Sequence, residues 1–151
     1  MKKLFITLSL LLCFVLANAQ NSMTFESVTY INGVGASDVP RFIELHKKFA
    51  DMAVGENRKA TGEWLFRHWY GSGHTFVLYD QYNTMEDYMA DSDLYLKNVK
   101  AKIDAMKDES EKEAIKKDWS EYRAFSDGHT DEVRAIATDT GFLTTADVNF
   151  D

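Results

Sequence analysis

Apolar and polar positions beyond residue 23 fall into blocks with two different periods. Thr24 to Asn32 (TFESVTYIN) is rich in β-branched and aromatic residues and ends at Gly33-Val34-Gly35, which predicts a first strand. Ser37-Asp38 then offers a helix cap, and Pro40 falls in the first helical turn, where a missing N–H is tolerated. Phe42, Leu45, Phe49 and Met52 follow at spacings of 3, 4 and 3, one face of an amphipathic helix that Gly55 stops. Glu56 to Glu63 reads as a polar loop.

Two aromatic runs come next. Trp64 to Tyr70 (WLFRHWY) and His74 to Tyr82 (HTFVLYDQY) flank Gly71-Ser72-Gly73 and predict a hairpin. With Tyr70 set opposite His74, Trp64, Phe66, Tyr70, Phe76 and Leu78 point one way, and Leu65, Trp69, Val77 and Tyr79 the other. Both faces are apolar, whereas a sheet with one face in water alternates apolar with polar residues. Helices account for one covering layer, and a second copy of the sheet is a candidate for the other.

Asn83-Thr84-Met85-Glu86 resembles a capping box, and helix signal continues to Asp127. A single straight helix over that span would be about 64 Å long, against about 36 Å for a compact domain of this size. Breaks are therefore expected at Asp91-Ser92-Asp93 and between Lys107 and Glu111. Leu96, Val99, Ile103 and Met106 supply the apolar face of the middle piece, and Ile115, Trp119, Tyr122 and Phe125 that of the last. Gly128 ends the helical region, and Glu132 to Thr138 predicts a fourth strand. The tail 142–151 carries scattered apolar residues, suited to an edge strand, a cover for the pocket or an arm reaching a partner.

The order strand, helix, strand, strand, helical region, strand is the βαββαβ pattern of an α+β ferredoxin-like domain, an antiparallel sheet with helices on one face. Between residues 23 and 139 the chain resembles the dimeric α/β-barrel superfamily, with its antibiotic-biosynthesis-monooxygenase, haem-degrading, EthD-like and NIPSNAP-like members. The local likeness is strongest from Trp64 to Ala90, where a Trp-initiated strand, a Gly turn and a second strand lead into the helix start NTMEDYMAD. The resemblance implies a homodimer formed sheet to sheet.

The first residues change the compartment. Met1-Lys2-Lys3 is basic, Leu4 to Leu16 is apolar, and Ala17-Asn18-Ala19 suits cleavage before Gln20. Residues 1–19 are therefore expected to be a signal peptide, residues 20–151 a single domain, and the protein exported, to a periplasm or the exterior. The apolar run is shorter than the roughly 20 residues of a membrane span, so no membrane span is expected after cleavage. The full chain of 151 residues carries a net charge of −7, and loss of Lys2 and Lys3 makes it −9. That charge repels phosphate backbones and argues against nucleic acid as a partner. Cys13 lies in the leader and no other cysteine follows, which excludes disulfides, thiolate metal sites and cysteine nucleophiles from the exported chain.

Candidate chemistry is sparse. No Gly-rich phosphate loop, nucleophile elbow, H-E-x-x-H or calcium loop occurs. His68 and His74 flank the hairpin turn, and with Asp80 remote they fall short of the three or four ligands of a metal site, so none is expected. His46 sits at the border of the first helix's apolar face, either as a half-covered border residue or, by analogy with haem-binding members of the superfamily, as an axial ligand. The resemblance to cofactor-free monooxygenases implies a pocket between sheet and helices lined by Trp64, Phe66, His68, Tyr70 and His46, with Asn32, Trp64, Arg67 and His68 as candidate catalytic residues. The alternative is that the aromatic residues are core and dimer interface. Two functions stay open: a small-ligand-binding or interaction domain for an apolar or aromatic ligand, with no cofactor, and a monooxygenase-like enzyme, cofactor-free or haem-linked, acting on a small aromatic substrate.

Overall fold

The computed structural model describes residues 24–70 and 73–136. The expected leader, 1–19, and tail, 142–151, lie outside the described residues. Strands β1 (Thr24–Ile31), β2 (Gly62–Arg67), β3 (Phe76–Tyr82) and β4 (Thr130–Ile136) form one sheet in the order β2-β3-β1-β4. Every neighbouring pair is antiparallel. Helix α1 (Val39–Ala53) joins β1 to β2, and α2 (Met85–Asp104) and α3 (Glu109–Phe125) join β3 to β4. This is the ferredoxin-like α+β arrangement that the hydrophobic pattern predicts, with two helices in the second crossover.

The hairpin register differs from the expected one. Arg67 lies opposite Phe76, and the His68 N–H donates to the Thr75 carbonyl at 2.8 Å. Setting Tyr70 against His74 would have placed His68 opposite Phe76, one residue away. Side chains alternate along a strand, so a slip of one exchanges the faces of one strand relative to the other. Trp64 and Phe66 therefore share the outer face with Val77 and Tyr79, while Leu65 shares the helix face with Phe76 and Leu78. Trp64 and Phe66 are about half exposed there, and Trp69 and Tyr70, beyond the end of β2, are more exposed still. The Trp64 indole folds back over Gly62, where an added Cβ would lie 2.1 Å from the ring.

The helical region breaks once. Helix α2 runs unbroken through Asp91-Ser92-Asp93, because Asp91 turns inward to partners described below. Its cap is Thr84, whose Oγ1 accepts from the Asp87 N–H at 3.0 Å, one residue later than the Asn83–Glu86 pairing expected. The break falls before Asp108, whose carboxylate accepts from the Ser110 N–H at 2.8 Å and the Glu111 N–H at 3.2 Å to start α3. Gly128, at φ 77°, turns the chain out of α3 towards β4.

Two apolar clusters hold these layers together. Ile31, Val34, Val39, Phe42 and Phe76 pack between one end of the sheet and α1. Leu45, Phe49, Ala53, Val99 and Ile115 pack among the three helices. Tyr122 and Phe125 border both clusters.

Candidate functional site

The helix-facing side of the sheet changes character along its strands. Ile31 faces Phe76 at one end, but further along Ser27 and Glu63 flank Asp80 on either side. Over this polar end the layers separate into a cavity of about 330 Å³. Its floor is Ser27, Thr29, Glu63, Leu78 and Asp80; Tyr88, Tyr95 and Leu96 come from α2, with His46 from α1 and Tyr122 from α3. A cavity of this size suits a small organic molecule.

The connection from α1 to β2 is pinned to α2. Arg58 Nε lies 2.9 and 3.0 Å from the two oxygens of Asp91, and its Nη2 lies 2.8 Å from Oδ2. The Lys59 N–H donates to Asp91 Oδ1 at 2.6 Å. Asp91 is 2% exposed. Burial works against its ionised form, but the guanidinium and the Lys59 N–H outweigh burial and hold the carboxyl below its ordinary range. A buried charge pair is tolerable where both partners are hydrogen-bonded in this way.

Asp80 has no such support. Among the described residues its Oδ1 is the buried side-chain polar atom without a hydrogen-bond partner. Burial, then the neighbouring Glu63 carboxylate, push its pKa up to about 7, against a smaller opposing pull from Arg58. Burial raises Glu63 as well. Glu63 reaches towards two bases, with Oε2 3.7 Å from Arg58 Nη2 and Oε1 3.6 Å from His46 Nε2. Burial lowers the pKa of His46, favouring the neutral ring. The cavity thus holds a carboxyl group that changes charge near neutrality in a half-apolar chamber, an arrangement found where ligands bind or protons move.

His46, of the residues expected to line a pocket, lines this cavity. Its Nδ1 lies 2.9 Å from the Tyr122 hydroxyl and its Nε2 faces Glu63. That arrangement does not fit axial ligation of a haem iron, which needs a ring nitrogen facing open space. Trp64 and Phe66 instead line a shallow depression on the outer face with Glu26, Val77 and Tyr79. Asn32 lies by another depression with Tyr30 and His74. Arg67 stacks on Trp69 at 4.9 Å, and the His68 and His74 rings lie 4.7 Å apart. Tyr70 is 83% exposed. The set Asn32, Trp64, Arg67 and His68 is not brought together around the cavity.

Sequence reasoning missed Arg58, Glu63, Asp80 and Asp91. The three acids carried a signal, each lying on an apolar stripe, whereas Arg58 lies in a loop with no such pattern. Asp80 has the parity of Phe76, Leu78 and Tyr82, Glu63 that of Leu65, and Asp91 precedes Tyr95 and Val99 at helical spacing.

No protein-family model matches the chain, and no curated protein matches its sequence. Solved structures do resemble it. A NIPSNAP family protein of unknown function from Agrobacterium tumefaciens strain C58 superposes with a TM-score of 0.52 at 10% identity, over 82% of this chain and 96% of that one. Two dimeric ferredoxin-like proteins from uncultured marine organisms superpose with TM-scores of 0.51 and 0.50 at 8% and 15% identity, over 85% and 80% of this chain and 99% of each of theirs. At these identities the likeness concerns the fold, and it places the chain among ferredoxin-like α+β structures.

Proposed function

We propose that the chain is an exported small-ligand-binding domain that works as a homodimer. The observation that carries the reading is the cavity of about 330 Å³ between sheet and helices, with the unpartnered Asp80 carboxyl oxygen in its floor. Half-exposed Trp64 and Phe66 on the outer face suit the subunit contact, as does the dimeric state of the marine proteins of similar fold. Met1 to Ala19 supports export; intact mass of protein expressed with its own leader should begin near Gln20.

Titration of the isotope-labelled protein with small aromatic fragments tests the binding reading. Shifts should gather at Leu78, Tyr95 and Tyr122, and Leu96→Trp at the rim should remove them while leaving the fold intact. Fragments that perturb only the outer face, or none that perturb the cavity at millimolar concentration, would reject the reading. For the dimer, Trp64→Asp should halve the mass seen by light scattering; a wild-type monomer at tens of micromolar would reject it.

One observation favours a second reading, an enzyme acting on a small aromatic substrate. Asp80 changes charge near neutral pH inside the cavity, as a general base requires. In a cofactor-free oxygenation that base would take the proton whose loss leaves the reactive carbanion. Oxygen uptake with electron-rich phenols, abolished in Asp80→Asn, would move the weight to this reading.

A further inference from the structure

We propose that the cavity takes a small organic cation, an amine bearing an apolar or aromatic group, with its ammonium held against Asp80. The proposal rests on the ligand-binding reading above and specifies the charge of the ligand.

The charges facing Asp80 come from every element around it. Arg58, from the α1–β2 connection, is committed to Asp91 on α2 through three contacts of 2.8–3.0 Å. It therefore has little capacity left for an anionic ligand. His46, on α1, is pushed towards its neutral form by burial and shares a hydrogen bond with Tyr122 of α3. Glu63, on β2, is the direct cross-strand neighbour of Asp80, and Ser27, on β1, flanks its other side without charge. Asp131 of β4 and His129 before it lie at the cavity's border; they stand 3.1 Å from each other. With Arg58 and Asp91 cancelling, ionised Asp80 and Glu63 leave the chamber negative.

Three features then select an organic cation. An ammonium against the Asp80 carboxylate would offset the charge that its buried, unpartnered Oδ1 leaves without a donor, and would relieve the repulsion between Asp80 and Glu63. Tyr88, Tyr95 and Tyr122 line the cavity and supply aromatic surface for the group that the ammonium carries. Among the described residues no three His, Cys, Asp or Glu side chains converge as a metal site requires. The carboxylate is thus placed for hydrogen bonding to one polar head.

Calorimetric titration of the full exported protein with 2-phenylethylamine, 2-phenylethanol and 3-phenylpropionate tests the charge. The amine should bind at least tenfold more tightly than the alcohol, and the carboxylate more weakly than either. Asp80→Asn should weaken the amine at least tenfold and leave the alcohol unchanged; Glu63→Gln, a second variant should the first fold poorly, should weaken the amine by a smaller factor. At pH 6 the ammonium draws a proton off Asp80, so the observed heat should vary with the buffer's ionisation enthalpy, an effect lost in Asp80→Asn. Equal binding of alcohol and amine, or unchanged amine affinity in Asp80→Asn, would overturn the cation assignment while a ligand cavity survives. Absence of binding by all three also overturns it, and the fragment titration then decides the cavity reading separately.

Discussion

The two ends of the layer between sheet and helices are built on the same strands and the same helix, yet they differ in kind. At one end Ile31, Phe42 and Phe76 close into a dry core, with the Phe42 and Phe76 rings 4.6 Å apart. At the other, Ser27, Glu63 and Asp80 occupy the equivalent sheet positions, and the layers part into a cavity. Apolar side chains release free energy by filling space, so the dry end has reason to close. Carboxylates lose hydration on burial, so closing the other end would require a partner for every oxygen. Asp91 has such partners and Asp80 does not. The difference separates the part of the layer that holds the fold from the part free to meet a ligand.

The largest effects should come from attacking each end through its own mechanism. Phe42 is completely buried, and Phe42→Ala should destabilise by about 3–5 kcal/mol, since the cavity left behind adds to the lost transfer energy. That loss should be nearly the same at pH 4 and pH 8. Arg58→Ala should cost about 3–5 kcal/mol at pH 8, where it strands the Asp91 charge. At pH 4 its cost should shrink, because the orphaned carboxyl can take a proton. Urea unfolding of both variants at both pH values is the measurement. Equal pH dependence in the two would break the distinction between a dry and a charged end.

Asp80 should produce a smaller effect of opposite sign. Its folded pKa of about 7 lies above its ordinary 3.8. Between these values the unfolded chain binds fewer protons than the folded one, so stability falls as pH rises through that window. The full loss above pH 7 is up to about 4 kcal/mol. Glu63, also raised, acts in the same direction. His46, lowered by burial, acts oppositely: the neutral ring's contribution is present above its ordinary 6.5 and is lost as pH falls through its lowered value. Comparing variant with wild type removes the His46 part, while relief of the Glu63 carboxylate by Asp80→Asn adds to the Asp80 effect in the same direction. Asp80→Asn should be more stable than wild type at pH 8 by one to a few kcal/mol, on the order of the linkage energy, and closer to it at pH 4. A variant less stable than wild type at pH 8 would mean that Asp80 is supported in a way its geometry does not show.

How far the sequence reaches differs between the same two ends. The dry core was legible because it rests on period alone: Phe42, Leu45 and Phe49 at helical spacing, and β-branched and aromatic runs for the strands. The polar end depends on which partners meet. Arg58 and Asp91 are 33 residues apart and belong to a loop and a helix, so no local pattern joins them. Asp91-Ser92-Asp93 predicts a helix break only while Asp91 lacks Arg58 and the Lys59 N–H. The exchange of faces for Trp64 and Phe66 has a different origin. Composition finds both strands of the hairpin, but register is set where the pairing stops, at Arg67 and Phe76, and the sequence Gly71-Ser72-Gly73 does not fix that point.

The boundary between the two ends gives the smallest prediction. Tyr122 touches both, with its ring 5.8 Å from Phe42 and 5.5 Å from Phe49 and its hydroxyl 2.9 Å from His46 Nδ1. Tyr122→Phe keeps the ring and deletes the hydroxyl, leaving a nitrogen of a buried histidine without its partner. The expected loss at neutral pH is about 1 kcal/mol, the net worth of one hydrogen bond plus part of the penalty for the stranded nitrogen. Tyr122→Leu removes the aromatic packing as well and should cost more, in the range of about 2–4 kcal/mol typical of a truncated buried ring. If the two variants lose the same amount, the hydroxyl on His46 holds the boundary and the ring only fills it. If Tyr122→Phe loses nothing, packing alone separates the dry core from the cavity, and the hydroxyl adds nothing to the hold on His46.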